Sequence, residues 1–430
     1  MPHNGEVSVA CFSPDGKSVA TASEDTTARI YDLESTNSPV PALEHGKAIF
    51  QASFDPEGAR ILTASADGLA KIWNARTGQS LATLAGHKAA VLSASFSPDG
   101  RMVVTGSADG TGRLWESADG RPRVELKGHD GPVRAARFSS NGRLVATASD
   151  DGTARIWDGA TGHLLTLLKA ADRVEGIVDV AFSPDARILA TAGSGGVARL
   201  WDVASGKQVG EPIRHLEEIS HLEFSPDGLQ LATASVDRSA QLWNAATGQP
   251  MLQEPLRHAG PVRYVSFRPD GKWLVTCGSD NTARVWDAAT GTPSLPPLRH
   301  AGTVTAACFS RDGKRLATAS QDNSARVWDA QTGEPVTPPL THRHWGRITS
   351  VAFNPAGDEV LTASADGTAE IWPLTQMDQA PDELEHLAQL MSGSRIGDDG
   401  ATLVPLDTAT LQELWNKLRT RRPKLVGAKP

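Results

Sequence analysis

The chain has 430 residues, of which 39% are hydrophobic, 5% aromatic and 21% charged, an ordinary balance for a globular protein. A formal net charge of -8 argues against the basic face of a general nucleic-acid binder. No apolar run approaches the ~18 residues of a membrane helix, and no charged-then-apolar leader begins at Met1. Cys11, Cys277 and Cys308 lack metal-ligand spacing and make no disulfide framework, so a reducing, cytoplasmic setting and no bound cofactor or metal are expected.

Length alone would give two or three domains, but an internal period overrides that expectation. A closing aromatic falls at Tyr31, Trp73, Trp115, Trp157, Trp201, Trp243, Trp286, Trp328 and Trp372, at spacings of 42 to 44 residues. The first unit starts abruptly, with only Met1-Pro2 before His3. Its opening resembles the end of an outer strand such as Pro297-Leu298-Arg299-His300, as if the chain were cut from a longer protein. Each unit reads as a first strand (91–96 or 177–182), a Pro/Asp/Gly turn, and a second strand of the Leu-Ala-Thr-Ala-Ser kind (231–235). A tight Asp-Gly-Thr or Asp-Asn turn then leads to a third strand (154–157) and a variable outer stretch (163–168). From unit five onward that outer stretch gains prolines, which suit an edge strand because they lack a donor.

After Trp372 the period stops. Residues 382–392 carry leucines at helical spacing, 394–406 read as a hairpin, and 409–420 as a last helix. The predicted division is therefore a repeat array over 1–375 and a helix-hairpin-helix tail over 376–430. One hairpin strand is expected to complete the ninth blade.

Four short strands cannot bury both faces of their own sheet, so such sheets stack, and radial stacking gives a β-propeller. Gly-His near the start and Trp-Asp at the end of units of about 40 residues resemble WD40 repeats, over residues 3 to 374. The tail, with LAQLMSGSRI and ATLVPL, resembles the C-terminal region of bacterial WD40-repeat Ser/Thr protein kinases. The expected fold is all-β: a single ring of nine four-stranded blades, with seven or eight blades plus leftover repeats as the alternative.

Eight histidines (His3, His45, His87, His129, His215, His258, His300 and His344) each precede an aspartate by 22 residues, and a serine lies two before most of those aspartates. A Ser/His/Asp nucleophile repeated in every blade makes no mechanistic sense. The set reads instead as a structural chain of carboxylate, imidazole, hydroxyl and indole, as in His87, Ser107, Asp109 and Trp115, or His129, Ser149, Asp151 and Trp157. WD40 proteins are known for such a tetrad, so the resemblance implies the same. Unit five has Arg173, Gly193 and Gly195 at the polar positions and is expected to be the softest blade. His342-Arg343-His344 lacks a third metal ligand.

Binding is expected where the sequence varies on a fixed frame. Five residues after the tetrad histidine, the units read Ser8, Phe50, Leu92, Arg134, Val178, Ser220, Arg263, Thr305 and Thr349. Phe50, Leu92, Arg134, Arg263, Trp345 and Arg347 form the candidate partner-binding set, being large apolar, aromatic or Arg residues near a rim. The leading function is a non-catalytic, monomeric scaffold that binds a protein or peptide across the propeller rim, with no nucleic acid, membrane or cofactor. The alternatives are the docking or sensory region of a larger bacterial Ser/Thr kinase, and a propeller hydrolase or lyase using the central channel.

Overall fold

The Leu-Ala-Thr-Ala-Ser run lies second in each blade and is buried along almost its whole length, as in Leu144–Ser149 and Arg315–Ser320. A strand covered on both faces needs small residues on each, because a neighbouring blade packs against either side. In a computed structural model, residues 3–32, 43–169, 176–342, 346–365 and 369–374 are described, with strand pairs at 394–396 and 403–405. Residues 3–374 build nine consecutive antiparallel sheets. Eight have four strands in sequence order, innermost first, as in Val133–Phe138, Leu144–Ser149, Thr153–Asp158 and Leu164–Lys169. The chain has a compact unit Met1–Leu374 and a second, Thr375–Pro430.

Blade nine has three strands among the described residues: Ile348–Phe353, Glu359–Ser364 and Ala369–Pro373. The expected hairpin forms, with Ser394–Ile396 against Leu403–Pro405. Its strands pair with each other as a two-stranded sheet. Each of the other eight blades takes its outer strand from the stretch directly after its third strand. The two expected tail helices lie outside the described residues.

The core is divided among the seams between blades. Trp73 of blade two packs with Ala20, Ala22, Ile30 and Leu43 of blade one, and Trp115 of blade three packs with Ala82 and Leu84 of blade two. Each repeated tryptophan thus covers the blade before it. Nine units close the ring through an ordinary seam, which excludes the arrangements with leftover repeats. Thr349 Oγ1 donates to the carbonyls of Val7 (2.8 Å) and Ala363 (3.1 Å), repeating the bonds of Thr305 to Ile348 (2.8 Å) and Ala319 (3.2 Å). Val7, Ala10 and Val19 pack against Leu361 and Ala363 across the same closure.

Candidate binding rim

In blades such as the third and fourth, the entry-loop histidine follows the outer strand of one blade and points into the next. In blade three His87 Nδ1 lies 3.0 Å from Asp109 Oδ2 and its Nε2 2.7 Å from Thr105 Oγ1, while Trp115 Nε1 donates to the same hydroxyl at 2.9 Å. Blade four repeats this with His129, Asp151, Thr147 and Trp157 at 2.9, 2.8 and 2.9 Å. One proton assignment satisfies every group. Indole N–H donates to threonine, threonine O–H to Nε2, and Nδ1–H to the carboxylate.

The bridging hydroxyl is therefore threonine, not the serine expected at Ser107 and Ser149. Ser107 Oγ donates to Ala89 O (3.2 Å) and accepts from Asp109 N (3.1 Å), and Ser149 does the same with Gly131 O (2.9 Å) and Asp151 N (3.1 Å). Register explains the difference. Trp115 sits opposite Val103, so its indole reaches the diagonal neighbour Thr105, two residues along the same face, while Ser107 is another step away. The serine instead ties the turn to the entry loop.

Burial is the largest influence on the histidines and lowers the pKa of His3, His45, His87, His129, His215 and His300, keeping them neutral. Burial works to raise the aspartates too, but hydrogen bonds overcome it. Thr27 and the Asn4 and Thr27 N–H groups hold Asp25 down at about 2, and Thr111, Lys88 N–H and His87 hold Asp109 there as well. With Nδ1 held by the aspartate and Nε2 by the threonine, both ring nitrogens are engaged in tying the entry loop to the blade.

Blade nine corrects a second expectation. His342 bonds the bridging Thr362, at 2.7 Å and across 20 residues where other blades span 18. It follows directly on Leu340–Thr341 as His300 follows Leu298–Arg299, so two extra residues fall in the entry loop after it. His344, Trp345 and Asp366 lie outside the described residues. In blade five, Trp201 still donates to Thr191 at 3.0 Å, so the hydroxyl partner is present there after all; Arg173 lies outside the described residues. In blade one the Tyr31 hydroxyl does not substitute for the indole: it is buried without a hydrogen-bond partner.

The variable positions from Ser8 to Thr349 share a structural cause. In every inner strand the second residue is the extra one of a β-bulge, with pairing shifting across Val7/Val9, Ile49/Gln51, Val133/Ala135 and their equivalents. A bulge re-aims the side chain out of the pleat. Phe50 is 42% exposed and Leu92 half-buried. Arg134 is clamped by Asp150, with Nη2–Oδ2 at 2.7 Å, and Arg347 pairs with Glu6 at 2.8 Å across the closing seam. Arg263 is exposed, and its nearest polar partner, Ser279 Oγ, is 3.5 Å away. Phe50, Leu92 and Arg134 fall on consecutive blades; Arg263 and Arg347 stand apart on blades seven and nine.

Sequence periodicity missed a second, aperiodic set. At the third and fifth positions of the inner strands, four consecutive blades carry Arg137, Asp179, His221, Glu223 and Tyr264, where the other blades have mostly small residues. Arg137 Nη2 lies 3.4 Å from Asp179, the His221 ring stacks on Tyr264 at 4.2 Å, and Glu223 Oε1 accepts from Phe267 N at 3.1 Å. Burial lifts the Glu223 carboxyl to about 7. The signal available in sequence was departure from the repeat rather than agreement with it. No cluster of three or more His, Cys, Asp or Glu among the described residues is placed to hold a metal.

A search of curated proteins finds no match. Among solved structures, the crystal structure of the computationally designed Ika8 protein is similar, at 26% identity and a TM-score of 0.63, covering 76% of this chain and 97% of that one. The family model for the WD domain, G-beta repeat, matches nine times, at residues 1–32, 37–74, 78–116, 120–158, 164–202, 206–244, 251–287, 295–329 and 337–373. With nine matched repeats on nine successive blades, the chain belongs to the WD40 family.

Proposed function

We propose that the ring is a non-catalytic platform that binds a protein or peptide along the rim carrying the nine bulges. The supporting observation is a division of labour. The repeated His, Asp, Thr and Trp side chains satisfy one another inside the blades, while each bulge presents a residue that the frame does not dictate. Phe50 supplies apolar area and Arg263 an uncommitted guanidinium, the residue types that dominate interfaces. Arg134 and Arg347 are already paired to half-buried carboxylates, so their contribution is smaller. Leu92 and Trp345 complete the proposed contact set.

The test is a pull-down in which wild type is compared with Phe50→Ala/Arg263→Ala and with Trp345→Ala/Arg263→Ala. A specific protein retained by wild type and lost from both variants, with unchanged melting curves, is the expected result. Retention of the same partner by both variants refutes the rim as the contact surface.

A further inference from the structure

The third and fifth residues of each inner strand set how much room the inner wall leaves. Blades four to seven fill it with the large polar side chains named above. Blades eight, nine, one and two place Cys308, Ala352, Cys11 and Ser53 at the fifth position. On this side the wall is hollow: an open cavity of about 610 Å³ spans the four blades. That volume is within the ~300–1,000 Å³ usual for small-molecule sites.

Four aromatic rings line it, from Phe12, Phe54, Phe309 and Phe353, the last residues of the four inner strands. The Cys11 thiol lies 3.7 Å from the carbonyl of Ala52 and the Cys308 thiol 3.6 Å from that of Val351. Burial raises them to about 11 and about 12, so they are neutral, soft wall surface rather than nucleophiles.

Arg311 is the single charged residue in the lining. Its place in the turn after the inner strand is held by proline in seven other units (Pro14, Pro56, Pro98, Pro184, Pro226, Pro269 and Pro355) and by Ser140 in the eighth. Proline presets the φ that such a turn needs, so arginine is not there for the turn. Arg311 is exposed and makes no ion pair among the described residues. The adjacent Asp312 is committed to Ser310 Oγ (2.6 Å) and Lys314 N (3.0 Å).

We propose that this cavity binds a small carboxylic acid with an apolar chain. The chain lies against the phenylalanine rings and the carboxylate pairs with the Arg311 guanidinium at the mouth. An apolar lining alone would fit a neutral ligand. The lone unpaired cation selects the anion, because a guanidinium presents a fork of N–H donors matched to a carboxylate.

Decanoate is the probe, titrated by calorimetry into the full chain below its micelle concentration. Decyltrimethylammonium, with the same chain length and opposite charge, is the control. Saturable one-to-one binding of decanoate is expected, with slower maleimide labelling of Cys11 and Cys308. Arg311→Ala should weaken it by about tenfold, Arg311→Glu further, and Ala352→Phe should remove it by filling the cavity. Arg311 is exposed, so its variants keep the test valid if Ala352→Phe fails to fold. No saturable binding of decanoate, equal binding of the ammonium probe, or unchanged affinity in Arg311→Ala would each overturn the assignment.

Discussion

Blades three and five share a backbone but not a hydrogen-bond network. Blade three runs an unbroken chain from Trp115 through Thr105 and His87 to Asp109. Among the described residues blade five keeps the base, Trp201 on Thr191, and it has Gly193 and Gly195 at the serine and aspartate positions. Both tryptophans nevertheless pack on the preceding blade, Trp115 against Leu84 and Trp201 against Leu168. The indole with its threonine is thus a unit that folds without the rest. The His–Asp pair is an added clamp between entry loop and turn.

The largest expected effects come from the shared part. Trp115→Ala and Trp201→Ala should each cost about 3–5 kcal/mol in urea unfolding, because each removes a buried aromatic and opens a cavity. The two costs should agree to within about 1 kcal/mol. If Trp201→Ala were far milder, the His–Asp clamp rather than burial would be what holds the aromatic.

Asp109→Asn probes the part that blade five lacks. The carboxylate accepts from Lys88 N (2.8 Å), Thr111 N (2.9 Å), Thr111 Oγ1 (2.7 Å) and His87 Nδ1 (3.0 Å). An amide turns one acceptor into a donor facing donors, at an expected cost of about 2–3 kcal/mol. Hydrogen exchange should show blade five opening more readily than blades three and four. Equal protection would mean the clamp adds no local stability.

Acid should erase the distinction. His3, His45, His87, His129, His215 and His300 have folded-state pKa values below the ordinary one, so unfolded chains bind protons more readily below about pH 6.5. That stability is present above pH 6.5 and is lost as pH falls. The aspartates add a second loss as pH drops from about 4 toward about 2, the value for Asp25 and Asp109. Glu223 has the opposite sign: raised to about 7, it contributes stability below about pH 4.5 that disappears as pH rises through 7. Glu223→Gln should therefore stabilise at pH 8, by up to roughly 3 kcal/mol, and change little at pH 5. A melting-temperature gain that is the same at both pH values would rule out a buried, titrating carboxyl.

The blade count and the strand order were legible in the sequence because each recurs in register with the closing aromatic. Thr105 and Ser107 were not separable by counting, since residues two apart on a strand share a face and only the register opposite Trp115 chooses between them. His342 was hidden because counting back from Asp366 crosses a two-residue insertion, whereas the end of strand Leu340–Thr341 fixes the histidine. The polar set from Arg137 to Tyr264 was invisible to a search for repeats because it is what the repeat does not contain.

The smallest effect concerns the turn before the third strand. Blades two to five place Gly68, Gly110, Gly152 and Gly196 there, with φ between 76° and 86°. Blade one holds Thr26 at φ 74°, and blade seven Asn281 at 64°. Blades one, five and seven share one backbone bond here, from the N–H of the next entry-loop histidine to the carbonyl of this residue: His45 to Thr26, His215 to Gly196, and His300 to Asn281. A β-branched side chain in this region carries strain that asparagine largely escapes. Thr26→Gly should relieve roughly 1–3 kcal/mol of strain against roughly 0.5–1 kcal/mol of added unfolded-chain entropy. A net gain of about 1 kcal/mol and a higher melting temperature are expected, with Asn281→Gly near neutral. Should Thr26→Gly destabilise, the bonds of the Thr26 neighbours to Asp25, Thr27 N at 2.9 Å and Thr27 Oγ1 at 2.7 Å, must depend on a stiff residue between them. The strained turn would then be part of the clamp in the one blade that lacks the tryptophan.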